Sequence, residues 1–274
     1  MSAKEAKNIV MSQYVIEATN LSKKFYSSQS LWELFYSLRI GRKLILALSS
    51  INLAVKEGEL FVLIGSNGAG KTTLIKILLG LILPTEGLIT INGYDLMREE
   101  INVKKCIGMV TAEERSFYWR LTGRQNLEFF AALYGLRKKE ANQRINYLLG
   151  LLDIQDSGRR FQEYPSGLRQ RFSVARCLLN DPKIIIMDEP TKNLDPLSAE
   201  SLILFIKKEL VERRRKTIIF CTHNLSEAAE LGGRIAIMDC GKIKACDYLE
   251  GLKNGACLGQ ESRLEEVFRY YVNA

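Results

Sequence analysis

Seven short apolar runs punctuate the chain: YVIEA (14–18), INLAV (51–55), LFVLI (60–64), LITI (88–91), KIIIM (183–187), TIIFC (217–221) and RIAIM (234–238). Their length and β-branched content predict strands. Several carry almost no polar position, the pattern of parallel strands covered on both faces, and the later ones alternate with helix-length segments such as 197–212. Between about 123 and 178 the period changes to that of helices, as in NLEFFAALYGL and ANQRINYLLGLL, with no strand run. The pattern predicts an α/β fold around a parallel sheet, with a helical insertion at 123–178. Neither an internal repeat nor a low-complexity segment interrupts it.

Composition narrows the class only a little. With 274 residues and 47% hydrophobic content the chain can bury a sizeable core. The formal charge of +8 is spread along the sequence instead of forming one basic block, so it does not call for nucleic acid. Cysteines 106, 177, 221, 240, 246 and 257 form no CxxC pair, and one histidine leaves no zinc spacing to write. They read as reduced thiols, several packed as small hydrophobes. The start, MSAKEAKNIVMSQY, has no apolar core of signal-peptide length. The longest apolar stretch, LIKILLGLIL at 74–83, contains Lys76 and is about half the roughly 20 residues that span a bilayer. Work at a membrane would need spanning helices from another polypeptide.

Two segments carry chemistry. Directly after LFVLI stands GSNGAGKTT, comprising Gly65, Ser66, Asn67, Gly68, Ala69, Gly70, Lys71, Thr72 and Thr73, and then the helical LIKILLG. This is GxxxxGK[ST] between a buried strand and a helix, the context the motif requires. The glycines let backbone N–H groups wrap phosphate oxygens, and the helix N-terminus adds partial positive charge. Lys71 is placed to neutralise β- and γ-phosphates and Thr72 to coordinate Mg²⁺. In KIIIMDEP, four apolar residues deliver Asp188 and Glu189 to the end of a strand. Two such carboxylates can divide the work, Asp188 holding Mg²⁺ through water and Glu189 polarising the attacking water. Together the segments predict a nucleoside triphosphatase.

From about residue 14 onward the sequence resembles the ATP-binding subunits of ABC transporters. The resemblance rests on GSNGAGKTT, on YPSGLRQRFSVARCLLNDPKIIIMDEPTKNLDP (164–196) and on TIIFCTHNLSEAAEL, in which His223 follows a strand. It implies a P-loop core with a mainly parallel sheet and an antiparallel β subdomain (14–112 and 179–245), an inserted helical subdomain (113–178) and a C-terminal helical tail (246–274). It further implies that His223 contacts the γ-phosphate and helps position water. Ser166 and Gly167 would close over ATP held by a second ATP-binding subunit, identical or related, with Asp195 at the same interface. ATP and Mg²⁺ are the expected ligands, separate transmembrane permease subunits the expected partners, and the cytoplasmic face of a membrane the expected location. YPSGLRQR and SRLEEVFRYYV are similar to forms found in exporters of drugs, lipids and polysaccharides. A non-transport ABC-type ATPase and a low-turnover nucleotide-dependent scaffold are the alternatives.

The chain departs from the family pattern in places. Where the signature reads LSGGQ, this sequence has Tyr164, Pro165, Ser166, Gly167 and Leu168, so proline replaces the usual serine and removes both a hydroxyl and an N–H. The Q-loop position falls on Glu113 counted back from LTGRQNL and on Ala112 counted forward from CIGMV; Glu113 is taken as the metal-side residue. Asn193 stands where glycine is frequent. The aromatic expected to stack on adenine is Phe25, with Tyr26 second. It is followed by a stretch that shorter members lack, SSQSLWELFYSLRIGRKLIL, in which Leu31, Leu34, Phe35 and Leu38 share a helical face ahead of Arg39, Arg42 and Lys43. Such a helix packs on its own domain or lies in lipid headgroups. Deleting residues 28–43 separates the two: weakened binding to anionic liposomes is the outcome the membrane reading expects, and unchanged binding and transport remove it.

Overall fold

The computed structural model describes residues 13–26, 44–112 and 116–273. Glu113 and the segment 28–43 lie outside the described residues. Among those described, the strands form two sheets. β1 (Tyr14–Tyr26), β2 (Leu44–Lys56), β4 (Glu86–Ile91) and β5 (Tyr94–Asp95) make an antiparallel sheet in the order β2-β1-β4-β5. β3 (Leu60–Gly65), β6 (Ile107–Thr111), β7 (Ile184–Asp188), β8 (Thr217–Thr222), β9 (Arg234–Asp239) and β10 (Lys242–Asp247) make the second, ordered β10-β9-β3-β8-β7-β6. It is parallel except for β10, which returns antiparallel beside β9. The seven apolar runs all lie in strands, divided between these sheets. β5, β6 and β10 were not among the predicted strands. β10 alternates half-buried and exposed positions at the sheet edge, and so lacks the continuous apolar run that reveals an inner strand.

Alternation along the inner strands divides the interior. Val62 and Ile64 of β3 face one cluster with Ile185, Met187, Ile218 and Phe220, whereas Phe61 and Leu63 face another with Ile184, Ile186, Ile219 and Cys221. The second cluster is closed by the antiparallel sheet, by α1 (Lys71–Leu78) and by α2 (Glu100–Cys106). The first is closed by α3 (Gly123–Leu133), α4 (Lys138–Leu151), α5 (Ser166–Leu178), α6 (Pro196–Phe205), α7 (Leu225–Leu231) and the C-terminal helices α8 (Leu249–Gly255) and α9 (Leu264–Asn273). The parallel sheet is therefore covered on both faces, the reason its strands read as unbroken apolar runs.

Local signals set the helix ends. Thr122 and Gln125 form a reciprocal capping box on α3. Asp195 caps α6 by accepting from Ser198 N–H at 3.0 Å, with Pro196 in the first turn, and Asn224 caps α7. The helix predicted over 197–212 is α-helical only to Phe205 and continues as a π-helix over Ile206–Arg213. In this stretch Glu209 bonds both Arg213 and Arg214, at 2.9 Å each.

The helical insertion has its own aromatic centre. Phe161 is fully buried, stacks on Phe117 with ring centroids 4.3 Å apart, and meets Tyr164 and Phe172 edge-on at 6.1 and 6.0 Å. The rings join the segment before α3 to α5, the helix that begins with Ser166 and Gly167. Phe161→Ala should destabilise the chain by about 3–5 kcal/mol through lost burial and a residual void. Urea unfolding followed by far-UV circular dichroism measures it.

Candidate functional site

Parallel strands that end level deliver their C-termini to one rim. β3 ends at Gly65, β7 at Asp188 and β8 at Thr222, so the loops that follow face a shared space. There lies an open cavity of about 1050 Å³ whose wall includes Ser66, Asn67, Gly68, Gly70, Lys71, Thr72, Thr73, Asp188, Glu189 and His223. Segments separated by more than a hundred residues in sequence thus line one site.

The loop from β3 to α1 takes its shape from close packing. A Cβ on Gly65 would lie 2.4 Å from the Met238 carbonyl oxygen. Gly70 caps α1 at φ +103°, and a Cβ there would meet the Ala47 carbonyl oxygen and Met238 Cε, each at 2.8 Å. The turn between β9 and β10 ties the loop to β2, since Gly241 N–H donates to Ala69 O at 2.9 Å and Ser49 N–H to Gly241 O at 2.8 Å. Lys71 is buried, and its ammonium donates to Gly65 O at 2.7 Å and Ser66 O at 3.2 Å. Burial lowers its pKa, against the opposing pull of Cys221, Glu189 and Asp188.

Opposite stands a second constellation. His223 Nδ1–H donates to Glu189 Oε1 at 2.8 Å, and Lys192 Nζ lies 3.4 Å from Glu189 Oε2. With Nδ1 engaged by Glu189, Nε2 is the ring nitrogen left for another partner. Burial raises the Glu189 carboxyl, but the hydrogen bonds and charges of His223 and Lys192 outweigh it and hold the group below the ordinary glutamate value. Glu189 has φ +46°, a backbone conformation that non-glycine residues adopt at a cost, and its N–H donates to Cys221 O at 2.9 Å.

The remaining predicted residues separate into those at the cavity and those away from it. Ser166 and Gly167 open α5, where Gly167 packs on Ser198 and lines a different cavity, of about 270 Å³, against α6. Asp195, the cap of α6, also lies away from the Lys71 cavity. Pro165 sits at the N-cap of α5, and its carbonyl accepts from Arg169 N–H at 3.0 Å. No side chain caps that end, so proline there interrupts no intrahelical bond. Phe25 pairs with Ile45 across β1 and β2 with Lys23 Nζ 5.1 Å from its ring centroid, yet the cavity wall on that side comes from Ile45, Leu46 and Ala47. Asn193 has φ +81°, in the left-handed region where asparagine is the commonest substitute for glycine. Sequence reasoning did not single out Lys192 or the 45–47 wall. Lys192 stood in the quoted 164–196 stretch, three residues after Glu189, and a local turn brings its ammonium to the carboxylate.

A phosphate-binding loop facing acidic strand ends on a parallel sheet defines the class of P-loop nucleoside triphosphatases. Comparison with known proteins narrows it. The family model described as "ABC transporter" matches residues 48–192. ABC transporter ATP-binding protein NatA of Bacillus subtilis is 34% identical over 212 residues, covering 77% of this chain and 85% of that protein. Taurine import ATP-binding protein TauB of Jannaschia sp. is 36% identical over 193 residues, 70% of each chain. A dimeric post-hydrolysis structure of the ATP-binding cassette MJ0796 bound to ADP and Pi superimposes with a TM-score of 0.71 at 27% identity, covering 85% of this chain and 98% of that one. The chain belongs to the ABC transporter family, as an ATP-binding subunit with ATPase activity. Among the described residues no helix is long and apolar enough to cross a membrane.

Lys71→Ala should raise the dissociation constant for Mg-ATP by about 100-fold or more, because it removes the buried charge opposite the phosphates. Titration with a fluorescent ATP analogue reads this directly.

Proposed function

We propose that this chain couples ATP-driven pairing of two ATP-binding subunits to export of a substrate through separate membrane subunits. The observation that carries the reading is the Glu189–His223 pair at 2.8 Å, facing Lys71 across one cavity. In this assignment the 65–73 loop cradles the ATP phosphates, Lys71 neutralises charge, and Phe25 lies at the adenine end. Glu189, held ionised, accepts the proton of the attacking water, while His223 contacts the γ-phosphate and orients that water. The Thr72 hydroxyl and Asp188 carboxylate are hard oxygen donors lining the same cavity and would hold Mg²⁺, which would supply positive charge against the phosphates. Glu113 belongs to the same proposal as the Q-loop residue.

Ser166 and Gly167 lie away from this cavity in their own chain, which supports their acting on ATP bound by a partner subunit. The uncapped start of α5 offers backbone N–H groups and the positive end of a helix dipole to such an anion. ATP then joins two surfaces, and hydrolysis releases them. The MJ0796 cassette is likewise a dimer, bound to ADP and Pi. Export is favoured by the forms YPSGLRQR and SRLEEVFRYYV. Membrane subunits would dock on the 113–178 insertion from the cytoplasmic face; uptake of the substrate by inside-out vesicles carrying the full complex tests the direction.

Glu189→Gln should keep ATP affinity within about threefold, lower turnover by about 100-fold or more, and accumulate an ATP-dependent dimer. Size-exclusion chromatography with and without ATP, beside a phosphate-release assay, measures both. Parental turnover in this variant would move the base elsewhere.

A further inference from the structure

Glu189 and His223 stand on different strands, and the ladder between those strands stops just before them. The last paired residues of β7 and β8 are Asp188 and Cys221. Past that point the two strands share one backbone bond, from Glu189 N–H to Cys221 O at 2.9 Å, and each then runs into a turn. One side chain reaches both. Glu227, on the first turn of α7, accepts with a single oxygen, Oε2, from Thr191 Oγ1 at 2.9 Å and from Thr222 Oγ1 at 3.0 Å. Thr191 lies two residues after Glu189 and Thr222 immediately precedes His223; both threonines are buried.

The partners of this contact fix its orientation. Thr222 Oγ1 accepts from Asn224 N–H at 2.9 Å, which directs its hydroxyl hydrogen to Glu227. Asn224 Oδ1 accepts in turn from Ser226 N–H at 3.0 Å and Glu227 N–H at 3.4 Å, so the helix that carries Glu227 is anchored to the loop that carries His223. The result is a closed circuit: Glu189, Thr191, Glu227, Thr222, His223 and back to Glu189 through the 2.8 Å bond. A circuit of this kind fixes the separation of two groups that the sheet no longer holds.

We propose that Glu227 is a positioning residue for ATP hydrolysis, a clasp that sets the spacing of Glu189 and His223 by tying the turn after β7 to the turn after β8. The proposal rests on the assignment of Glu189 and His223 as the hydrolytic pair. Glu227 touches neither nucleotide-loop residue Lys71 nor Thr72 in its hydrogen bonding, so its loss acts on the geometry of the reacting step and leaves the phosphate cradle intact. Small displacements of reacting groups cost turnover steeply.

Steady-state ATPase of the full-length chain, with melting temperature and ATP-analogue binding as controls, tests this. Glu227→Ala should lower kcat by about 10–100-fold while KM for Mg-ATP stays within about twofold. Glu227→Gln keeps an oxygen that accepts both hydroxyls and should recover kcat to within about threefold of the parent. The pair Thr191→Val and Thr222→Val, which keeps side-chain shape, should reproduce the loss and add less than about twofold on top of Glu227→Ala. If Glu227→Ala fails to fold, the threonine pair carries the test alone. Parental kcat in that pair, equal losses in kcat and ATP affinity, no recovery with glutamine, or full additivity would each overturn the clasp. Glu189→Gln is assayed alongside: parental turnover there sinks the hydrolytic assignment, whereas an inactive Glu189→Gln beside a fully active Glu227→Ala sinks the clasp alone.

Discussion

A buried ammonium is expensive unless its hydrogen bonds are met, and Lys71 meets two of its own with the carbonyls of Gly65 and Ser66. Much of the architecture serves that arrangement. The loop that supplies the carbonyls turns tightly because Gly65 and Gly70 have no Cβ to collide with Met238 and Ala47, residues contributed by β9 and β2. The turn between β9 and β10 bonds the same loop through Gly241 and also lines the cavity. Both sheets therefore converge on the loop, and its positive charge is paired with protein carbonyls and faced by Asp188 and Glu189.

The parallel sheet is what brings opposite charges to one rim. Strand order β9-β3-β8-β7 sets the ends of β3, β8 and β7 side by side, so Lys71, His223 and Glu189 share a cavity although they come from distant parts of the chain. Past the last ladder pair one backbone bond remains, from Glu189 N–H to Cys221 O, and Glu227 joins the two turns through Thr191 and Thr222. Lys192 adds a cation to the far oxygen of Glu189, from the turn its own N–H closes onto Glu189 O at 3.0 Å. Ser166 and Gly167 start α5 without a side-chain cap and do not line this cavity.

Two positions that depart from the family pattern have ordinary local reasons. Asn193 keeps a backbone conformation that glycine adopts freely and asparagine tolerates. Pro165 occupies a helix N-cap, where a missing N–H breaks nothing and φ −65° is the value the ring imposes. Cysteine usage follows burial in the same way. Cys177 and Cys221 are buried, and burial pushes the Cys177 thiol up to about 12, so it remains protonated and packs as a small apolar group.

The sequence by itself determined the strand runs, the helical insertion, the phosphate loop and the acidic strand end, because each is written in contiguous residues whose period or spacing follows from backbone geometry. The family resemblance, legible in the same stretches, singled out His223. Edge strands such as β10 were not legible, since half-exposed positions give no apolar run. Tertiary structure decided the rest. That Glu189 meets His223, that Glu227 ties Thr191 to Thr222, and that Ile45, Leu46 and Ala47 instead of Phe25 wall the cavity all depend on strand order and register. These contacts join residues far apart in the chain, and a local sequence pattern carries no information about a distance that only the folded sheet creates.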